Sequence, residues 1–97
     1  MHARVVTVQI QPGKMEETIS LYRDSVVPAA KQQQGFKGAL LLTDSNTGKA
    51  LSIVLWETEA DMKVTEASGY FQEQIAKFAA LFAAPPVTEH YEVRVQV

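Results

Sequence analysis

Hydrophobic and polar positions alternate with a period of two at both ends of the chain and through its middle. Between those stretches the period lengthens to three or four. From Arg4 to Gln11, Val6, Val8 and Ile10 take one side and Val5, Thr7 and Gln9 the other, which predicts a strand ended by Pro12-Gly13. Met15, Ile19, Tyr22, Val26 and Ala30 then recur at helical spacing. Pro28 lies inside that stripe and lacks an amide N–H, so the helix should kink or restart there, with Gly35 as its C-terminal cap. Gly38–Thr43 and Lys49–Glu57 read as two strands joined by the turn formers Asp44-Ser-Asn-Thr-Gly48, an antiparallel hairpin. In the later of these strands Leu51, Ile53 and Leu55 point one way, and Ser52, Val54 and Trp56 the other.

Thr58 stands three residues before Asp61, a variant capping box that opens a short helix to about Glu66. Ser68 reads as a fresh N-cap for a helix carrying Phe71, Ile75, Phe78 and Phe82, which Pro85-Pro86 stops. Val87–Val97 closes the chain as a strand, with Tyr91, Val93, Val95 and Val97 opposite His90, Glu92, Arg94 and Gln96.

The order strand, helix, strand, strand, helix, strand predicts an α+β fold of ferredoxin-like, split βαβ type (β-α-β-β-α-β). Its antiparallel sheet carries the helices on one face, and residues 1–97 make one domain. Each helix has one apolar stripe and each strand one nearly pure apolar face to receive it. The other sheet face is then expected to carry Val5, Val54 and Trp56 beside Thr7, Ser52, His90 and Arg94. That mixture is too apolar for water, and exposed apolar patches of this kind mark partner surfaces. The expectation is a homodimer packed sheet against sheet, with Val5, Val54, Trp56, His90 and Arg94 on the dimer face.

Composition narrows the partners. A net charge of −2 without any basic block argues against nucleic acid and anionic membranes. No apolar run approaches the roughly 20 residues that span a bilayer. No basic segment followed by an apolar one marks a signal peptide, so a cytoplasmic protein is expected. Cysteine is absent, which removes disulfides and thiolate metal ligands. No His or acid pair has HxxxH-type spacing, so no metal site is expected.

Candidate chemistry rests on few side chains. His90 is the one histidine within a predicted element, and its ordinary pKa suits a general base at neutral pH. Its strand parity assigns it to the dimer face. Tyr22 and Tyr70 lie on inward edges of the helices, where a buried hydroxyl asks for a partner and a pocket wall supplies one. Phosphate-loop, dinucleotide-turn and nucleophile-elbow motifs are all missing.

Val6-Thr-Val-Gln-Ile-Gln-Pro-Gly13, Gly35-Phe-Lys-Gly38, Leu55-Trp-Glu-Thr-Glu-Ala-Asp61, Ser68-Gly-Tyr-Phe71 and Glu89-His-Tyr-Glu-Val93 occur in this order over nearly the whole chain. Together they resemble the antibiotic biosynthesis monooxygenase domain of the dimeric α+β barrel group. That resemblance implies a homodimer, and a cofactor-independent monooxygenase or related oxidoreductase acting on a small aromatic, phenolic or quinol-like substrate, with no cofactor. The alternative it leaves is a non-catalytic small-molecule-binding or stress-related dimeric barrel. Quinol-oxidising members often carry His where this chain has Thr65 and Tyr70. Haem-degrading members use Asn, Trp and His where it has Val6, Thr65 and Ile75, none of which ligates iron, so haem degradation is disfavoured. Tyr70, Tyr22 and His90 are therefore the candidate catalytic residues. Val6, Tyr22, Thr65, Tyr70, Phe71 and Ile75 are the candidate pocket.

Overall fold

The computed structural model describes all of residues 1–97. Strands β1 (His2–Gln9), β2 (Phe36–Asp44), β3 (Lys49–Trp56) and β4 (Val87–Glu92) form one antiparallel sheet in the order β2-β3-β1-β4. Between β1 and β2 run helix α1 (Met15–Leu21), a π-helical turn (Tyr22–Val26) and α2 (Val27–Lys31). Between β3 and β4 run α3 (Glu59–Ala67) and α4 (Tyr70–Ala76). This is the α+β, ferredoxin-like arrangement expected from the order of elements. No helix is long and apolar enough to cross a membrane.

Local chemistry explains most boundaries. Pro28 sits in the first turn of α2, which continues directly from the π-helical turn, so the amide it lacks is the one that would have served Asp24. The interruption falls just before it, where the wider π turn lets Asp24 lose its usual amide partner without a ring clash. Thr58 caps α3, its Oγ1 accepting the Asp61 N–H at 3.0 Å. Ser68 ends α3 instead of opening α4. Gly69, at φ 86°, turns the chain, and Ser68 Oγ accepts the Tyr70 N–H. The stripe from Phe71 to Phe82 is helical only to Ala76. Beyond it the amides of Phe78, Ala79 and Leu81 bond three residues back in tighter turns. The last strand stops at Glu92, so Val93–Val97 is not part of the sheet. Gly35, at φ 83°, turns the chain into β2 three residues after the α2 cap at Gln32. A Cβ there would overlap the Asp61 side chain.

Register decides which face meets the helices. Val6 pairs with Ser52 and Arg4 with Val54, and directly opposed residues share a face. The helix-covered face of β3 is therefore Ser52, Val54 and Trp56, not Leu51, Ile53 and Leu55. Val54 and Trp56 belong to the core with Met62, and Trp56 is 0% exposed. This corrects their expected place on the dimer face. Both faces of β3 are apolar enough to be buried, and only pairing with β1 chooses between them. His90 pairs with Arg4 and so turns toward the helices as well. Arg94 lies past the end of β4 with its side chain in solvent. Of the expected dimer-face residues Val5 alone remains on the uncovered face, opposite Ile53.

Candidate functional site

Two core clusters hold the helices to the sheet. One joins Tyr22, Val26, Phe78 and Leu81, the other Val54, Trp56 and Met62. Between them a partly open cavity of about 70 Å³ remains, and thirteen of its seventeen lining residues are hydrophobic. Space of that kind favours an apolar occupant fixed by a few polar groups. Val6, Tyr22, Tyr70, Phe71 and Ile75 all line it. Thr65 does not; it is buried behind the wall, where its Oγ1 donates to the Met62 carbonyl at 2.6 Å and accepts from Arg4.

Arg4 is the polar centre of the site. Its residue is 3% exposed, on the strand position two before Val6. Nη1 donates to Thr65 Oγ1 at 2.8 Å and to Glu66 Oε2 at 3.3 Å. The guanidinium carbon lies 3.9 Å from the centre of the Phe71 ring and 5.6 Å from that of Trp56. Burial pulls the Arg4 pKa down, and the Glu66 carboxylate opposes that shift. An arginine remains a cation through any such change near neutrality. Glu66 in turn is held from outside by His90, whose Nε2 lies 2.9 Å and 3.1 Å from the two carboxylate oxygens. A chain His90–Glu66–Arg4 thus runs from the rim to the cavity wall. His90 itself does not line the cavity. It borders a surface depression with His2, Glu59 and Arg94.

The other polar groups are neutral. Tyr22 hydroxyl shares a hydrogen bond with Ser52 Oγ at 2.9 Å and donates weakly to the Leu40 carbonyl at 3.4 Å. Burial pushes its pKa up, against the Ser52 bond and the Arg4 charge. Burial also raises the Tyr70 pKa, with Arg4 opposing and Tyr22 adding to the shift. Both phenols therefore stay protonated at neutral pH and serve as hydrogen-bond donors, not bases. Gln74 lines the cavity with its Oε1 accepting from Lys77 Nζ at 2.9 Å, which leaves its amide N–H groups free. Trp56 Nε1 is buried with no acceptor in the chain, at a cost of about 1–3 kcal/mol for such a donor. No three His, Cys, Asp or Glu side chains come together as a metal site.

The comparisons with known proteins agree with this architecture. The model of the antibiotic biosynthesis monooxygenase family matches residues 1–83. The chain belongs to that family. The monooxygenase ActVA-Orf6 of Streptomyces coelicolor, solved with nanaomycin D, superposes with a TM-score of 0.81 at 17% identity, covering 99% of this chain and 89% of that one. SnoaB, a cofactor-independent oxygenase from Streptomyces nogalater, superposes with a TM-score of 0.77 at 15% identity, covering 99% and 95%. At such identities the family member shares a fold with them; shared chemistry is a separate matter. In sequence the chain is 30% identical to the uncharacterized protein Rv2557 of Mycobacterium tuberculosis over 97 residues. That match takes in 96% of this chain and 41% of Rv2557, so the chain spans about two-fifths of the length of that relative.

Arg4 is the charged side chain of the cavity wall that the hydrophobic pattern does not single out. At the edge of a valine-rich strand a charged residue reads as solvent-facing. Its parity with Val6 and Val8 was the available signal, since it places the side chain on the same face.

Proposed function

We propose that this protein is a cofactor-independent monooxygenase acting on a small aromatic, phenolic or quinol-like substrate bound between the helices and the sheet. The observation that carries the reading is the cavity itself, whose largely hydrophobic lining encloses neutral phenol and amide donors and one guanidinium. Membership of the monooxygenase family and the small molecule bound in the ActVA-Orf6 structure support it. The reaction suited to such a chamber uses an electron-rich substrate anion that reduces O₂ directly. A ring C–H of the phenol takes up one oxygen atom to become C=O, the phenolic C–O becomes the second carbonyl, and the other oxygen leaves as water with that ring hydrogen and the phenolic proton. The protein supplies water exclusion and donors for the negative charge that moves onto oxygen. Tyr70 fits the donor role because its hydroxyl makes no bond within the chain and sits close enough to Arg4 to feel its charge.

A homodimer completes the reading. The uncovered sheet face presents Leu40, Leu42 and Tyr91, each about half exposed or more, around Val5, Ile53 and Leu55. It is more apolar than the face expected from the sequence, and a second copy of the same face would cover it.

Oxygen consumption over a panel of hydroquinones and polycyclic phenols tests the activity. The wild type should consume O₂ with at least one of them and place one atom of ¹⁸O₂ in the product. Tyr70→Phe should lower turnover by about tenfold or more, the scale of one oxyanion donor or somewhat less. His90→Ala should retain most turnover, because His90 lies outside the cavity. No uptake with any member of the panel would overturn the enzymatic reading in favour of a binding protein.

A further inference from the structure

The polar equipment of the cavity is one-sided. Arg4 spends only Nη1 on the chain, so the N–H groups of Nε and Nη2 have no acceptor within it, although the side chain is 4% exposed and lines the cavity. Gln74 offers its amide hydrogens, its oxygen being taken by Lys77. Tyr70 offers a hydroxyl. No carboxylate or imidazole lines the space, and the tyrosines are held protonated by burial. Such a chamber has nothing with which to remove a proton from its occupant near neutral pH. It is well built to hold an occupant that has already lost one.

We propose that Arg4 selects the charge state of the ligand, so that the cavity takes a flat aromatic molecule bearing one oxygen acidic enough to be ionised before it enters. The ionised oxygen docks on the free edge of the guanidinium, whose face is stacked on Phe71. This assignment rests on reading the cavity as a small-molecule site. A single charge is the limit. Arg4 is already partly matched by Glu66, and a second negative group such as a phosphate would be stripped of water against a hydrocarbon wall with no cation to meet it. The ligand class that follows for binding is flat aromatic molecules with one oxygen ionised near neutral pH, ahead of uncharged ones of the same size.

Binding can be measured without turnover by quenching of Trp56, the sole tryptophan, which lies on the cavity wall. The probes are 2-hydroxy-1,4-naphthoquinone, an anion at pH 7.5, and uncharged 1,4-naphthoquinone of the same ring size. The wild type should bind the anion about tenfold more tightly or better, the scale of one charge-assisted hydrogen bond. Arg4→Gln should erase that ratio while the neutral probe keeps its affinity, and Arg4→Lys should restore part of it. Glu66→Gln removes the carboxylate that competes for the guanidinium and should tighten the anion further. A gain of that kind cannot come from damage to the fold, so it decides the matter even if Arg4→Gln does not fold. Equal binding of the two probes, a ratio that survives Arg4→Gln, or weaker anion binding by Glu66→Gln would overturn the role of Arg4 and leave the cavity reading intact. Failure of both probes to quench Trp56 would overturn the cavity reading and the role of Arg4 with it.

Discussion

Tyr22 shows how much of this site is decided by burial. Its phenol is shut between α1 and the sheet with a single good partner, Ser52, and burial outweighs that bond and the nearby Arg4 charge to raise its pKa. An acid whose folded pKa lies above its unfolded value of about 10 binds more protons in the fold than in the unfolded chain over that interval. Stability is then fully present below about pH 10 and is lost as pH rises through the folded value, because ionisation pulls the unfolded chain forward. Thermal unfolding followed by circular dichroism at about pH 8 and about pH 11 should show a lower Tm at the higher pH. Tyr22→Phe should start lower at neutral pH by about 1 kcal/mol for the lost hydrogen bond and fall less steeply on going alkaline. An identical alkaline loss in both proteins would show that the phenol does not feel its burial.

Among the elements, α3 carries the most consequence for its size. It spans Glu59–Ala67 and supplies Met62 to the core, Thr65 to Arg4, and Glu66 to both Arg4 and His90. Nine residues of modest amphipathicity do not hold a helix by propensity alone, so its start matters. Thr58→Ala removes the cap on the Asp61 amide and should cost about 1 kcal/mol, read as a lower urea midpoint with an unchanged slope. Because the frayed turn leads directly to Met62, the same change should loosen the support behind Arg4. A midpoint equal to that of the wild type would mean that packing against Trp56 sets the helix start.

At the scale of the whole molecule the sheet has one face under helices and one face bare. Leu40 is 55% and Leu42 48% exposed on the bare side, with Tyr91 at 48% on the far strand. Apolar side chains spread over all four strands make a continuous surface that a second copy would cover. Leu40→Glu places a charge in that surface at a position already in solvent in the single chain, so the fold should be kept. Light scattering at micromolar concentration should report a dimer for the wild type and a monomer for Leu40→Glu. A monomeric wild type would overturn the dimer.

What the sequence determined by itself was local. Alternation, the helical stripes, Pro28, Thr58 and the turn at Asp44–Gly48 specify element types and order, because each depends on neighbours within a few residues. Spacing turns Tyr22 and Phe71 inward and the family resemblance points to Val6, Thr65 and Ile75, but it is the fold that brings Val6, Tyr22, Tyr70, Phe71 and Ile75 to one cavity and leaves Thr65 behind its wall. Non-local pairing decided the rest. Val54 and Trp56 changed sides because both faces of β3 are apolar and only the register with β1 breaks the tie. His90 changed sides with them, because β4 sets it opposite Arg4 on β1, and there it meets Glu66 of α3. Parity puts Arg4 on the face of Val6 and Val8, but not the partners that make its burial possible. A buried guanidinium is tolerable only where partners await it, and its partners Thr65 and Glu66 lie 61 and 62 residues away in sequence. Periodicity reports which side chains share a face, and only the folded chain determines which face is covered and what meets it there.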